Sequence, residues 1–132
     1  MASRQEDWLW QAERDIQHAR ASVDDEHYEW ACFAAQQGAE KAIKAVFQSQ
    51  GASAWGHSLV DLMEALKADV DVSRELTESA KELDKHYIGP RYPNSVPNGA
   101  PGQVYTRGEA ERAIDNADRI LRFCQSHVFR EG

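Results

Sequence analysis

The sequence predicts an all-α protein, namely an up-and-down helical bundle of four to five antiparallel helices with a proline-rich loop before the last helix. Apolar residues recur every three or four positions through most of the 132 residues, which is the period of a helical face. No convincing strand pattern interrupts this period, and the short connections between periodic segments favour antiparallel neighbours. A chain of this length fits one domain, so we expect a single helical domain over residues 1–132.

Five segments show the helical period. They run from Trp8 to Val23, Tyr28 to Val46, Leu59 to Leu66, Leu76 to Tyr87 and Ala110 to Val128. Residues with N-cap chemistry precede the last four segments. They are Asp24 and Asp25, then Ser58, Ser73 and Thr106. All four prolines fall between residues 89 and 104, so we expect an ordered loop there.

The charge balance limits the classes of ligand. The chain has 15 Lys and Arg residues against 22 Asp and Glu residues, which gives a net charge of -7. This sign is wrong for a protein that binds long nucleic acids by neutralising phosphates. We therefore expect no extensive nucleic-acid surface, and any anion site has to be built locally from a few cations.

Cysteine content and hydropathy indicate the cellular compartment. Cys32 and Cys124 are too few for a disulfide framework, and neither has the paired spacing of a zinc site. We expect two buried thiols, no metal and no cofactor. No apolar run approaches the ~20 residues that span a bilayer, and the N-terminal residues do not have the pattern of a signal peptide. These features predict a cytoplasmic protein with no membrane segment.

A polar strip follows the second helical segment. Gln36, Glu40 and Lys44 lie at intervals of four residues and therefore share a helix face, with Gln37 and Lys41 on the adjoining strip. One interpretation is a solvated face stabilised by a Glu40–Lys44 pair. The other is a ligand-binding face, in which the lysines contact phosphate and the glutamines contact a base or ribose.

A second group of candidate residues lies outside the helices. Arg91 stands between Pro90 and Pro93, whose rings restrict the backbone and thereby fix the guanidinium. Such a group suits bidentate binding of phosphate, with Tyr92 available for stacking. The alternative is a structural clamp, in which Arg91 pairs with an acidic residue and Tyr92 plugs the edge of the core. His57 precedes a helix start, where capping competes with a ligand role.

Three stretches together resemble a known family. They are residues 30–45, which contain Ala-Gln-Gln-Gly-Ala-Glu-Lys-Ala-Ile-Lys-Ala, residues 57–59, which are His-Ser-Leu, and residues 87–94, which contain Arg-Tyr-Pro-Asn. With an early tryptophan, these motifs resemble the HEPN domain, a helical family named for nucleotide binding in higher eukaryotes and prokaryotes. The resemblance extends from about Trp8 to Cys124. The Arg-Tyr-Pro loop, with the Tyr-Thr pair at 105–106, is also similar to the C-terminal domain of sacsin.

The resemblance has implications for the candidate residues. It favours ligand binding by Lys41 and Lys44, a ligand role for Arg91 and a mainly structural role for Tyr92. Gly38 stands where the family motif more usually has alanine. Because glycine costs about 1 kcal/mol of helix propensity relative to alanine, we expect Gly38 to mark the close approach of another backbone or of a ligand.

The resemblance also bears on activity. Many HEPN proteins are ribonucleases that use an arginine followed, after four to six residues, by a histidine for acid–base catalysis. Two pairs match this spacing, Arg122 with His127 and Arg20 with His27, but about one match is expected by chance. The chain has no Arg-Asn-x-x-x-His run, which the ribonuclease branch tends to contain. We therefore expect no robust ribonuclease activity.

Three functions follow from the resemblance. The favoured one is a nucleotide-binding or interaction module that is the partner of a separately encoded small nucleotidyltransferase, as in a toxin–antitoxin pair. The alternatives are a dimeric ribonuclease toxin with its site at Arg122 and His127, and a structural oligomerisation domain. Trp10 lies roughly 150° from the centre of the first helix's apolar face, so we expect a homo-oligomer that uses this helix or the last one.

Overall fold

The structure is a computed structural model that describes residues 4–128, and these residues form an all-helical bundle. The five predicted helices are present. They are α1 (Gln5–Asp24), α2 (Tyr28–Ser49), α3 (Leu59–Leu66), α4 (Arg74–Asp84) and α6 (Arg107–Val128). The proline-rich loop is ordered, as predicted, and contains the 3-10 turns Gly89–Arg91 and Pro93–Ser95 and the one-turn helix α5 (Pro101–Val104).

Helix α2 lies at the centre of the bundle. It packs against α1 and α6 over most of its length, and it also contacts α3, α4 and the 3-10 turn Gly89–Arg91. This central place follows from its composition, because alanines at positions 31, 35, 39, 42 and 45 are fully buried and let neighbouring helices approach. Partly buried Trp8, Tyr28 and Phe47 pack around this core.

Gly38 is the point of closest approach between α1 and α2. A Cβ atom at this position would lie 2.7 Å from Cγ1 of Ile16 and 3.0 Å from the carbonyl oxygen of Ala12. Both atoms belong to α1. The predicted close approach is therefore confirmed, and the approaching group is the backbone and core of a neighbouring helix.

Helix capping agrees with the sequence at three of four predicted positions. The hydroxyls of Ser58 and Ser73 accept hydrogen bonds from the backbone N–H groups of Asp61 and Leu76. Thr106 and Glu109 cap α6 reciprocally.

The prediction for the start of α2 is wrong. Asp24 ends α1 and Asp25 is its C-cap, while α2 begins after His27, whose side chain makes no capping bond. The chain reverses at Glu26, which has a left-handed φ of 62°. The backbone N–H of His27 donates to the carbonyl of Ser22 over 2.8 Å, so a helix-ending turn occupies the predicted cap.

Helix α4 is also shorter than predicted. It ends at Asp84, and residues 85–88 form a turn that leads into the first 3-10 turn. This ending places Tyr87 in a loop, next to α2. Within residues 4–128, no helix is both long and apolar enough to cross a membrane.

Candidate functional site

The side chain of Arg91 is held by a carbonyl and three aromatic rings. Its Nε donates to the carbonyl oxygen of Tyr87 over 2.8 Å. The guanidinium carbon lies 4.5 Å from the ring centre of Phe33, 4.8 Å from that of Tyr87 and 5.5 Å from that of Tyr92. These distances are typical of cation–π contacts, which orient a guanidinium without neutralising it.

No carboxylate within residues 4–128 forms an ion pair with Arg91. The structural clamp with an acidic residue is therefore absent from this part of the chain. Tyr92 is 49% exposed, so its ring lies beside the guanidinium and does not plug the core. The two terminal nitrogens of Arg91 retain their capacity to donate to an anion.

The backbone around Arg91 is fixed by close packing. Pro90 is buried against the bundle. A Cβ atom at Gly89 would lie 2.7 Å from the hydroxyl oxygen of Tyr105, so a side chain there would push this turn away. The hydroxyl of Ser95 donates to the carbonyls of Gly89 and Tyr92, each over 2.6 Å. The loop therefore presents Arg91 in one orientation.

Lys41 and Lys44, the two predicted phosphate contacts on α2, each pair with a carboxylate. Nζ of Lys41 lies 2.7 Å from Asp15 on α1, and it also donates to Gln37 over 3.5 Å. Nζ of Lys44 lies 3.1 Å from Glu40. One interpretation of the polar strip was a solvated face stabilised by this pair; the pair is present, but the solvated face is wrong, because Gln36 and Glu40 are buried. Since each ammonium already faces a carboxylate, neither carries an uncompensated charge toward a ligand.

Glu40 is a buried carboxylate at the centre of a hydrogen-bonded cluster. It is 6% exposed, and its oxygens accept from Lys44 and, over 3.4 Å, from the amide of Gln36. They also lie 3.1 and 3.2 Å from Nδ1 of His57. Gln36 is fully buried and in turn accepts a hydrogen bond from Gln37. The predicted residues Gln37, Glu40, Lys41, Lys44 and His57 thus belong to one connected network.

His57 links this network to Arg91. Its ring stacks on Tyr87 with a centre-to-centre distance of 4.5 Å and an interplanar angle of 17°. Tyr87 is also one of the rings around Arg91. Through Tyr87, the structure therefore connects Arg91 of the loop with the network on α2.

A cleft of about 300 Å³ opens beside this group. It is lined by Asp15, His18, Trp30, Phe33, Gln37 and Lys41. Phe33 is shared between the cleft and Arg91, and the rings of Trp30 and Phe33 make a T-shaped contact with their centres 6.2 Å apart. Sequence reasoning had not assigned Trp30, Phe33 or Tyr87 to a site. The available signal was that Trp30 and Phe33 lie outside the apolar stripe of their helix.

The predicted ribonuclease pair lies elsewhere, on α6. His127 lies five positions after Arg122, which turns their side chains about 140° apart around a helix. Arg122 is exposed, and the ring of His127 packs 4.5 Å from that of Phe123. Within a single copy of the chain, the side chains of Arg122 and His127 therefore do not lie on the same side of α6.

Buried titratable groups lie outside the cleft. Burial raises the pKa of Cys32 to about 12, with a smaller contribution from Glu109, and it also raises the pKa of Cys124. Burial also holds the pKa of His86 below its ordinary value. The raised pKa values favour the protonated thiols near neutral pH, whereas the thiolate is the nucleophilic form. Within residues 4–128, no three His, Cys, Asp or Glu side chains form a group able to hold a metal ion.

The fold and the motif-bearing residues of this site define a HEPN domain. The HEPN domain family model matches residues 5–127, and the chain belongs to this family.

Three similar proteins give this membership context. TT1696 from Thermus thermophilus has a crystal structure with a TM-score of 0.93 and 48% identity, covering 96% of this chain and 99% of that one. The archaeal HEPN homologue ST0689 has a TM-score of 0.81 and 38% identity, with 96% and 99% covered. "Putative toxin MJ1304" of Methanocaldococcus jannaschii is 25% identical over an alignment of 119 positions, and the match covers 83% of this chain and 78% of that protein.

Proposed function

We propose that the protein is the HEPN component of a toxin–antitoxin-like pair, a nucleotide-binding or interaction module whose partner is a separately encoded small nucleotidyltransferase. Family membership and the similarity to a protein named as a toxin support the toxin–antitoxin class. The ligand in this proposal is a nucleotide or another phosphate-bearing molecule. It binds at the surface between α2 and the loop that carries Arg91.

The proposal that the protein binds a phosphate-bearing ligand rests on the surroundings of the Arg91 guanidinium. Its guanidinium is oriented by one carbonyl and three rings, yet it pairs with no carboxylate of residues 4–128. In a chain with a net charge of -7, an oriented and unneutralised arginine is a local anion site in an unfavourable field. The adjacent rings of Trp30 and Phe33 offer stacking surface for a base.

The test is calorimetric titration of a panel of nucleotides against the wild type, Arg91→Ala and Arg91→Lys. A charge-assisted hydrogen bond to phosphate contributes about 1.5–3 kcal/mol, so Arg91→Ala should weaken binding by about ten- to a hundredfold. Arg91→Lys should restore part of the affinity, because an ammonium keeps the charge and loses the planar pair of donors.

Arg74→Ala is the matched control. Arg74 is 94% exposed at the start of α4, where it pairs only loosely with Glu78, so this variant removes the same charge from a remote surface. Its affinity should equal that of the wild type. Unchanged affinity in Arg91→Ala, together with a large loss of thermal stability, would make Arg91 a purely structural residue.

The partner half of the proposal has its own test. An adjacent reading frame with the Gly-Ser and Asp-x-Asp signature of a nucleotidyltransferase would support it, and co-expression should then yield a complex that survives gel filtration. An adjacent antitoxin-like frame without that signature would favour a ribonuclease toxin instead.

A dimeric ribonuclease is the second candidate function, favoured by the toxin name of the relative. In that case Arg122 and His127 of two α6 helices would have to face each other across a dimer. We expect the purified protein not to cleave RNA robustly. Clear cleavage that is lost in His127→Ala would overturn this expectation. A structural oligomerisation domain is the third candidate, and it predicts neither nucleotide binding nor cleavage.

A further inference from the structure

A smaller cleft lies between the end of α4 and the start of α6. Its volume is about 160 Å³, and all its lining side chains except Ala113 are polar. The polar lining residues are Glu82, Lys85, His86, Glu109, Arg112 and Asn116. None of them contacts Arg91 or lines the aromatic cleft beside it. This α4–α6 cleft is therefore a separate candidate site.

Hydrogen bonds between the two helices hold one wall of the α4–α6 cleft in place. The side-chain oxygen of the buried Asn116 accepts from the hydroxyl of Ser79 and from Arg119, each over 3.0 Å. Its amide nitrogen donates to Oε2 of Glu82 over 3.3 Å. Because this nitrogen carries two hydrogens, one of them has no partner among the described residues. Asn116 is thus oriented, and it retains a donor.

The charged side chains of the α4–α6 cleft do not neutralise one another by ion pairing. Within residues 4–128, none of Glu82, Lys85, Glu109 and Arg112 forms an ion pair. Glu109 uses Oε1 to cap α6 at Thr106, and Glu82 uses Oε2 for the amide of Asn116. Each carboxylate therefore retains one oxygen that accepts no hydrogen bond from this part of the chain.

The His86 imidazole shows that these charges lie close together. Burial lowers its pKa; among the nearby charges, Glu109 and Glu82 raise this pKa, and Lys85 and Arg112 lower it. All four charges therefore act on the same ring. The ring is neutral near pH 7, because its pKa lies below the ordinary value of 6.5. The cleft is thus lined by two positive and two negative charges.

The balance of charges and the small volume define the class of ligand. A simple anion in the α4–α6 cleft would meet two carboxylates, and a simple cation would meet Lys85 and Arg112. A molecule with one ammonium and one carboxylate group matches both sets of charges. Pockets for drug-sized ligands have volumes of about 300–1,000 Å³, so a cleft of 160 Å³ accepts only a compact molecule.

We propose that the α4–α6 cleft binds the zwitterion of a small α-amino acid, such as alanine or glycine. The ammonium group of the ligand donates to Oε1 of Glu82, because Glu109 already caps α6. The carboxylate of the ligand accepts from Arg112, whose planar guanidinium can donate two hydrogen bonds to one carboxylate, and from the remaining amide hydrogen of Asn116. This inference does not depend on the proposed role of Arg91.

The test is a titration of the ¹⁵N-labelled protein at neutral pH with three ligands, followed by ¹H–¹⁵N spectra. L-Alanine carries both charges, propionate lacks the ammonium group, and ethylamine lacks the carboxylate. Alanine should bind with a dissociation constant of about 1 mM or below and shift the amides of residues 82–86 and 109–116, including the side-chain amide of Asn116. Propionate and ethylamine should each bind about tenfold or more weakly, because each lacks one charge-assisted hydrogen bond.

Two variants test the two ends of the ligand separately. In Glu82→Gln the preference for alanine over propionate should disappear, and in Arg112→Gln the preference for alanine over ethylamine should disappear. Both residues are exposed, so both variants should fold, and circular dichroism checks this. Glu111→Gln and Arg74→Gln are the matched controls, because these residues are exposed on α6 and α4 and do not line the cleft. They should bind alanine as the wild type does.

Each of three results would overturn the proposal. The first is an absence of shifts at residues 82–86 and 109–116 with alanine at tens of millimolar. The second is binding of propionate or ethylamine as tightly as alanine, which would make the cleft a site for a single charge. The third is an unchanged preference for alanine in both folded variants. None of these results bears on the Arg91 site, which is tested with nucleotides.

Discussion

At the scale of single residues, spacing along α2 predicted which side chains meet but not what they do. Gln36, Glu40 and Lys44 are neighbours, as intervals of four residues require. The burial of Glu40 could not be predicted from α2 alone, because the loop that carries His57 covers it and lies 17 residues away in sequence. The same holds for Arg91, whose aromatic surroundings come from α2 and from the turn after α4.

Gly38 gives a residue-scale prediction about packing. We expect Gly38→Ala to lower the free energy of unfolding by about 1–2 kcal/mol, because overpacking costs about 1–3 kcal/mol and outweighs the gain in helix propensity. The atoms in the way are the fully buried Ile16 and the Ala12 backbone, which have little room to move. Urea unfolding measures the change.

Gly108→Ala is the control for this prediction. Its Cβ atom would lie 3.3 Å from the end of the Arg112 side chain, a flexible group that can move aside, and at an ordinary contact distance of 3.9 Å from the Thr106 hydroxyl oxygen. We expect this variant to be as stable as the wild type or slightly more stable. A Gly38→Ala protein that is also more stable would show that α1 and α2 do not approach as closely as described.

His86 gives a prediction about pH. Burial lowers its pKa in the folded state, and its Nδ1 is buried without a hydrogen-bond partner among the described residues. Below about pH 6.5 the unfolded chain therefore binds a proton that the folded chain does not, and the free energy of unfolding falls as the pH falls. His86→Phe should reduce this decline in urea unfolding between about pH 7 and 5. An equal decline in both proteins would contradict the prediction.

At the scale of helices, sequence signals located the elements well and their ends less well. The cap residues Ser58, Ser73 and Thr106 could be recognised in the sequence, because each is a hydroxyl residue that precedes a helical segment. In the structure, each accepts a hydrogen bond from the backbone N–H three residues further along the chain. Asp24 and Asp25 had the same chemistry but failed as caps, since a left-handed Glu26 ends α1 first. The shorter α4 was missed because Tyr87 continues the apolar period, although it packs against His57 and Arg91.

The prediction at the scale of helices concerns Asp84. It ends α4 and its carboxylate accepts from the N–H groups of Leu59 and Val60 over 2.7 and 3.2 Å, so it caps α3 from a neighbouring helix. Asp84→Ala should cost about 1–2 kcal/mol and speed hydrogen exchange of those two amides. Asp61→Ala, an exposed acidic residue in the first turn of the same helix, should have a smaller effect on those amides. If the two amides exchanged hydrogen at the same rate in both variants, Asp84 would have no capping role.

At the scale of the whole molecule, the bundle could be predicted because the apolar residues that repeat with the helical period are also the residues that form the core. Apolar residues of the periodic segments are buried in the bundle, for example Ile16, Ile43, Leu83 and Ile120. The site was less predictable, because it is assembled from α2, the loop before α3 and the turns after α4. Contacts between such distant segments leave no local period, so motif resemblance was the only guide to them.

The last prediction concerns assembly. Trp10 is 62% exposed on α1, next to a cleft of about 410 Å³ that Trp8, Gln11 and Lys41 help to line. Because exposed tryptophans are common anchors of interfaces, we propose that this surface pairs with a second copy of the chain. Sedimentation at tens of micromolar should then show a dimer or larger oligomer. Trp10→Ala should weaken association by about 2 kcal/mol, or about thirtyfold, whereas Trp55→Ala, in the loop before α3 and 90% exposed, should not. A monomeric wild type would contradict this prediction, and a Trp10→Ala protein that associates normally would move the interface to α6.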